Sequence, residues 1–296
     1  MNIHTLDLLF QSTSHCIASY LLESEGELAL VETGPASTLP ALTAALTAKG
    51  FRPSDVSKVL LTHIHLDHGG AAWWWAQLGV PIYVHERGAR HLVDPAKLRA
   101  GARAVYGANL ESLWGALLPC PHDLVHPLQD GDTISLGSTT ITAWDTPGHA
   151  FHHHSFVAEG IAFTGDVAGV RLPGETYISP TTAPSQFAPA PYDASLKRLL
   201  EAKLDRLFLT HFGEVAHPEE HLSRYRDLVK EVASLLEGAP EEAESKLLAH
   251  HRERANQDHL SEAQWDRYEL ANPTDMCAQG ILHHWARQRE RAEAPK

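Results

Sequence analysis

The first 35 residues read as short apolar runs separated by turn residues. LDLLF, IASYLL and ELALVET are each long enough for one strand, and Glu25-Gly26 supplies a tight turn, so the pattern predicts strands joined as hairpins. The period then changes. Ser37 is a capping residue type, and Leu39, Leu42 and Leu46 fall on one helical stripe, which predicts a helix over residues 37–49. Lys58-Val59-Leu60-Leu61-Thr62 is a buried-type strand that runs directly into His63. A helix over Gly69 to Leu78 and a strand over Pro81 to Val84 follow. This strand–helix–strand order predicts a mixed α/β sheet.

Residues 86–118 carry a longer helical pattern, interrupted near Asp94-Pro95. Strand patterns return as DLVHPL, TISL, TTITAW, HSFVA and IAFT, punctuated by Gly131-Asp132, Gly137-Ser138 and Glu159-Gly160. Five prolines between residues 170 and 192 predict a long loop, and loops of that length in compact domains tend to be functional or disordered. A helix over 193–201 and a strand over Arg206 to Thr210 then lead into His211. Beyond Pro218 the pattern is helical almost to the end, with breaks near Ala239-Pro240 and Asn272-Pro273. Leu222, Tyr225, Leu228, Val232 and Leu235 form a stripe suited to packing on a core, with a homodimer contact or a substrate lid as alternatives.

Composition narrows the function classes. At 296 residues the chain is large enough for one or two domains. A net charge of −13 argues against nucleic acid as the main partner, because phosphate binding needs a basic face. No apolar run approaches the ~18 residues of a membrane span, and the amino-terminal MNIHTLDLLFQS lacks the basic and apolar regions of a signal peptide. A cytoplasmic setting is the expectation. Cys16, Cys120 and Cys277 are far apart, so neither a disulfide framework nor a thiolate zinc site is expected. The 21 histidines are the unusual feature.

Four of the metal-type ligands crowd into Thr62-His63-Ile64-His65-Leu66-Asp67-His68-Gly69, directly after an apolar strand. The strand brings the chain to a sheet edge, and the turn after it points several side chains into one space. Imidazoles favour zinc or iron, and a carboxylate adds negative charge. Three later segments repeat the device. ThrAlaTrpAsp runs into Thr146-Pro147-Gly148-His149, IleAlaPheThr into Gly165-Asp166, and LeuPheLeuThr into His211-Phe212-Gly213. Five His and two Asp converging from four strand ends would be donors enough for two divalent metals.

THIHLDHGG, TPGH, TGD and THFG, in that order, resemble the metallo-β-lactamase superfamily, in particular its glyoxalase II-like group. The resemblance covers about residues 1–215. It implies a four-layer αββα sandwich for that part, with residues 216–296 as a helical carboxy-terminal region packed on it. It also implies that His63, His65 and His149 hold one metal, that Asp67, His68 and His211 hold a second, and that Asp166 bridges them. The cofactors would be two divalent ions, zinc first, with manganese or iron as alternatives. The implied activity is hydrolysis of a small-molecule ester, lactone or thioester by a metal-bridging hydroxide, with Asp67 and Asp166 as the catalytic carboxylates. A mononuclear iron oxygenase, like the persulfide dioxygenases of the same superfamily, is the alternative. The chain departs from the family pattern at Glu32, where relatives carry Asp before Thr-Gly.

The substrate is less legible. Lactonase relatives place a Tyr shortly after the bridging Asp, whereas Val167-Ala168-Gly169-Val170 stand here and the nearest is Tyr177. Tyr177 and Arg171 in the Pro-rich loop, and His153 four residues beyond His149, are the candidate substrate-binding residues, with support of the ligands from behind as the other role for His153. His152 and His154 are expected to share a strand face that His153 does not. His85-Glu86 begins an HExxH pattern, but position 89 is Ala. His217 and His221 are expected at a solvated helix end, and His250-His251 and His283-His284 at the surface or an interface. The three tryptophans Trp73, Trp74 and Trp75 point in different directions on a helix, so not all can enter the core.

Overall fold

The computed structural model describes residues 1–182, 184, 186–237 and 240–293. Two six-stranded sheets lie face to face. The first holds β1 (Asn2–Asp7), β2 (Ala18–Ser24), β3 (Glu27–Val31), β4 (Val56–Leu60), β5 (Ile82–His85) and β6 (Val125–Leu128), in chain order. β1–β3 are antiparallel hairpins, and β3–β6 are parallel. The helices that reverse the chain between the parallel strands are α1 (Leu39–Ala48), α2 (Leu66–Gly69), α3 (Ala72–Gln77), α4 (Glu86–Val93), α5 (Ala96–Tyr106) and α6 (Leu110–Trp114). The second sheet holds β7 (Thr133–Leu136), β8 (Thr139–Asp145), β9 (His154–Ala158), β10 (Ile161–Gly165), β11 (Arg206–Leu209) and β12 (Gly213–Val215). Its order is β12-β11-β10-β9-β8-β7, antiparallel except for β10 beside β11, a crossover made through α7 (Pro189–Glu201). The carboxy-terminal helices are α8 (Pro218–Leu235), α9 (Ala243–Gln257), α10 (Glu262–Ala271) and α11 (Thr274–Glu293).

The strand alternation explains the layering. Tyr20, Leu22, Val31 and Leu60 of the first sheet meet Ala143, Phe156, Phe163 and Phe208 of the second in one apolar layer. The alternate residues Leu21, Leu30, Val59 and Leu61 face the other way, onto Leu42, Leu46 and Trp75 of the helices. Likewise Ala162, Leu207 and Leu209 face Leu196 and Leu199 of α7 and Leu222, Tyr225, Leu228 and Val232 of α8. Both sheets are thus covered on both faces, giving helix, sheet, sheet, helix. Leu222, Tyr225, Leu228 and Val232 of the α8 stripe pack on this core, whereas Leu235 at its end is exposed. None of the described helices is long and apolar enough to cross a membrane.

Several local expectations shift. Leu8-Leu9-Phe10 is not strand: β1 ends at Asp7, whose carboxylate accepts from the Leu9 and His15 amides and turns the chain. The helix expected over Gly69 to Leu78 is split into α2 and α3, because the first turn must bend around the His63–His68 loop. Trp75 is fully buried, whereas Trp73 and Trp74 are half-buried and the Trp73 indole donates to the Ala116 carbonyl at 2.9 Å. The break at Asn272-Pro273 separates α10 from α11, and that near Ala239-Pro240 falls between α8 and α9, with Ala239 itself outside the described residues.

Two histidine expectations are overturned. His251 is buried, its Nδ1 3.2 Å from the Thr274 hydroxyl. His221 is also buried, because α8 packs tightly on the loop after β10. Its Nε2 donates to the Ala168 carbonyl at 2.8 Å. Burial, offset in part by that bond, holds the His221 pKa down at about 4. Between that value and the ordinary ~6.5 the unfolded chain binds a proton that the folded chain does not, so stability falls as pH drops through that window. The loss attributable to His221 is about 3 kcal/mol by pH 4. His221→Gln retains a donor for Ala168 and should flatten this slope, as read by urea unfolding at pH 7 and pH 4.5; an unchanged slope would exclude His221 as a source.

Candidate metal centre

Four strand ends deliver the predicted ligands to one rim. His63 and His65 follow β4, His149 follows β8, Asp166 follows β10 and His211 follows β11. His63, His65, His149 and Asp166 form one group whose ligand-type atoms lie within 4.8 Å of one another; Asp67, His68 and His211 form another on the same criterion. Within the first group His65 Nδ1 is 2.9 Å from both His63 Nε2 and His149 Nε2. Asp166 faces both groups. Its Oδ2 is 3.2 Å from His149 Nε2, and its Oδ1 is 3.1 Å from His68 Nε2 and 3.4 Å from His211 Nε2. Asp67 Oδ2 is 3.3 Å from His211 Nε2 and 3.5 Å from His68 Nε2.

The outward ring nitrogens of four of the five imidazoles are held by the protein. His149 Nδ1 donates to the Thr181 carbonyl at 3.1 Å and His211 Nδ1 to the Cys16 carbonyl at 2.7 Å. His68 Nδ1 meets Glu32 Oε1 at 3.1 Å. His63 Nδ1 meets the Thr62 hydroxyl at 3.1 Å, and that hydroxyl donates to Glu32 Oε1 at 2.5 Å. With the proton on the outer nitrogen, each Nε2 turns a lone pair inward. His65 Nδ1, 2.9 Å from two of these nitrogens, meets them either by carrying its proton inward or by sharing a cation with them. His68 Nε2 and Asp166 Oδ1 are moreover buried without a hydrogen-bond partner among the described residues. The donor set therefore fits divalent metal ions: imidazoles with carboxylates, their outer nitrogens held by acceptors.

Electrostatics agree. Burial, then the neighbouring imidazoles, hold His63 well below its usual pKa and His65 at about 3, so both are neutral ligands near neutral pH. Burial opposes charge on Asp166, but His68, His149 and His211 outweigh it and keep the carboxyl well below its usual range. Burial also works to lower His68, yet Asp166, Asp67 and Glu32 together raise it. Three carboxylates around one imidazole make that spot favour positive charge, which a metal ion satisfies as well as a proton does.

The backbone explains the motifs. Gly165 has φ +51, and a Cβ there would sit 2.5 Å from Thr62 Oγ1 and 2.7 Å from His153 Nε2, so Gly is needed for Asp166 to emerge beside the His63 loop. Glu32 is fully buried at φ +64, joining Thr62 and His68 through one carboxylate. The Asp166 carbonyl accepts from Thr181 Oγ1 at 2.5 Å and Tyr192 Oη at 2.9 Å. Tyr225 Oη in turn accepts from the Thr181 amide at 3.1 Å. Thr181 and Tyr192 thus brace Asp166, and the Thr181 carbonyl holds His149.

The substrate-binding expectations need correction. Tyr177 is buried against Tyr268 and Trp265, outside the cavity, because the loop folds back with Val170 paired to Ser179. Arg171 does not line the cavity; its Nε donates to the Glu175 carbonyl at 2.7 Å. His153 is fully buried, with Nδ1 2.9 Å from the Thr146 hydroxyl and Nε2 accepting from the Asp166 amide at 3.2 Å, so it positions Asp166 and does not face a ligand. The cavity over the rim holds about 720 Å³. Its floor is His65, Asp67, His149, Asp166 and His211, and its walls include Leu98, Tyr106, Trp114, Phe151, Leu270 and Met276. These wall residues come from α5, α6, the loop after His149, α10 and α11. No single segment carries a periodic signal that would have announced them.

The comparisons with known proteins are consistent with this architecture. The family model for the metallo-beta-lactamase superfamily matches residues 17–211. The chain belongs to that superfamily. It is 32% identical over 173 residues to a metallo-beta-lactamase fold-containing protein of Sulfurisphaera tokodaii, covering 56% of this chain and 65% of that one. It is 32% identical over 113 residues to a hydroxyacylglutathione hydrolase of Vibrio cholerae, covering 38% and 33%. The aligned stretches therefore span between one third and two thirds of these relatives. A solved metallo-beta-lactamase family protein of Thermus thermophilus superposes with TM-score 0.70 at 22% identity, covering 98% of this chain and 94% of that one. An archaeal superfamily protein from Sulfolobus tokodaii does so with TM-score 0.70 at 22%, covering 95% and 98%.

Glu32 stands where superfamily resemblance leads one to expect Asp, yet its longer arm reaches both Thr62 and His68. Glu32→Gln removes the charge and keeps the length. Metal affinity measured by chelator competition should fall about 10- to 100-fold, the range for partners of ligating side chains. Wild-type affinity would mean that Glu32 does not orient the ligands.

Proposed function

We propose that this chain is a dinuclear metallohydrolase that cleaves an ester, lactone or thioester carrying an apolar acyl portion. The observation that carries the proposal is Asp166, whose two oxygens face two complete ligand groups at the floor of a mainly apolar cavity. His63, His65 and His149 would hold one ion and Asp67, His68 and His211 the other, with Asp166 shared. Divalent ions there supply Lewis acidity toward a carbonyl oxygen and ionise water near neutral pH.

The chain's own residues do the rest. Asp67 reaches the cavity floor, and His68 and His211 outweigh its burial to keep it ionised, so it accepts a hydrogen bond from an attacking water and orients it. Trp114, Phe151, Leu98 and Met276 exclude water from the acyl chain and align its carbonyl with the floor. Among the described residues lining the cavity, Lys97 is the one Lys or Arg. That favours an apolar acyl group over a multiply anionic one. The completeness of the second ligand group, Asp67, His68 and His211, weighs toward two ions and against the mononuclear iron alternative.

Asp166→Asn should lose nearly all hydrolysis of acyl thioesters and lactones, together with part of the bound metal measured by elemental mass spectrometry. Unchanged activity and metal content would sink the assignment. In the wild type, kcat/KM over a series of straight-chain acyl thioesters should rise about fourfold per added CH₂ until the cavity is filled, the equivalent of about 0.8 kcal/mol each. A flat series would show that the apolar walls do not receive the acyl chain.

A further inference from the structure

The cavity wall holds one hydroxyl that the protein leaves nearly unused. Among the described residues lining the cavity, two carry hydroxyls, Thr181 and Tyr106. Thr181 is committed, because its Oγ1 donates to the Asp166 carbonyl at 2.5 Å. Tyr106 closes α5, where Gly107 ends the helix at φ +55. Its Oη donates to the Met276 thioether at 3.7 Å and makes no other hydrogen bond among the described residues. Sulfur is a weak acceptor. Tyr192 and Tyr268, by contrast, each donate to a backbone carbonyl, at 2.9 and 2.8 Å.

The Tyr106 ring is held in the wall. It packs at 5.2 Å and 57° on Trp114, which stacks at 5.1 Å and 28° on Phe10, so three segments fix where the phenol stands. Leu98, Ala102 and Val105 of the same helix line the cavity with it. Burial, then Asp67 and Asp275, push the Tyr106 pKa up, so near neutral pH the proton stays on the oxygen and the group is a donor. Solvent satisfies such a phenol in an open cavity. An acyl chain that fills the cavity expels that solvent and leaves the phenol with sulfur alone, unless the chain itself brings an oxygen. Tyr106 belongs to the wall and not to the floor of metal-type ligands, so that oxygen is one beyond the scissile carbonyl.

We propose that Tyr106 is a specificity residue that contacts the substrate: its hydroxyl donates a hydrogen bond to a carbonyl oxygen carried along the acyl portion, away from the bond that is cleaved. This deepens the acyl-hydrolase reading above and rests on it. Met276 takes the proton back when a chain offers no oxygen, so a plain chain is disfavoured only moderately. The expected discrimination is about three- to tenfold, the net value of one neutral hydrogen bond, and far below the ~10⁴-fold of sites whose donors are left bare.

The test is isothermal titration calorimetry of the metal-loaded full chain with octanamide and with octanamides bearing one keto group, moved from the fourth to the seventh carbon. Amides occupy the acyl space without a good leaving group. In wild type, one keto position should bind about three- to tenfold more tightly than octanamide. Tyr106→Phe should bind that ligand no better than octanamide while holding octanamide as wild type does, a split that a merely structural role would not produce. Met276→Leu, which removes the competing sulfur and keeps the phenol, should widen the wild-type preference. Octanamide bound with no keto preference at any position, or a preference that survives in Tyr106→Phe, would overturn the proposal and leave the hydrolase reading standing. No binding of octanamide itself would overturn the acyl-binding role of the cavity, and this proposal with it.

Discussion

Converging lone pairs organise this molecule. Five imidazoles and two carboxylates are brought together at one rim, and most of them are buried. Without a cation such a cluster repels itself and gives up hydration that nothing in the protein replaces. The surrounding architecture makes sense as a frame that holds this arrangement despite that cost. The outward ring nitrogens are fixed by Thr181, Cys16, Glu32 and Thr62, so ring orientation is set before any ligand arrives. Two sheets pressed face to face supply the stiffness, and their strand ends supply the ligands.

Glu32 shows how far the frame reaches. One carboxylate from the first sheet accepts from Thr62 and faces His68, with Thr210 Oγ1 of the second sheet 3.4 Å away. It therefore couples the loop after β4 to the strand end that carries His211. Asp166 is held in a comparable way from the opposite side. Its carbonyl is gripped by Thr181 and Tyr192, and its amide donates to His153. The Pro-rich loop and α7 thereby become part of the centre although they contribute no ligand. The carboxy-terminal helices, with α5 and α6, add the remaining element, walls that make the rim the floor of a mainly apolar, partly open cavity.

The clustering of metal-type side chains was legible because its pattern is local. His63, His65, Asp67 and His68 lie within six positions after a strand, and the turn geometry alone brings them together. The later ligands each follow an apolar strand beside Gly or Pro, a signal that survives without knowledge of neighbours. Tyr177 and Arg171 were misplaced for the complementary reason. Proximity in sequence to Asp166 says nothing about the direction of a 20-residue loop, and that loop folds back on α10 through the Tyr268 hydroxyl, which meets both the Leu172 amide and the Tyr177 carbonyl. His221 and His251 were misjudged because polar neighbours along a helix suggest solvent, whereas burial depends on what another segment lays over that face.

What the sequence by itself determined is the order of strands and helices, the two-faced apolar strands that require a covered sheet, and the set of metal-type ligands. Each of these depends on residues within a few positions of one another. The place of Asp166 between the two groups was implied by the resemblance; only the tertiary structure decided which hydroxyls brace it, which helices wall the cavity, and that His85 meets Asp145 and His154 across two sheets. Those are contacts between residues tens to hundreds of positions apart. They arise from sheet packing and helix docking, for which a local pattern of apolar and polar residues is necessary but not sufficient.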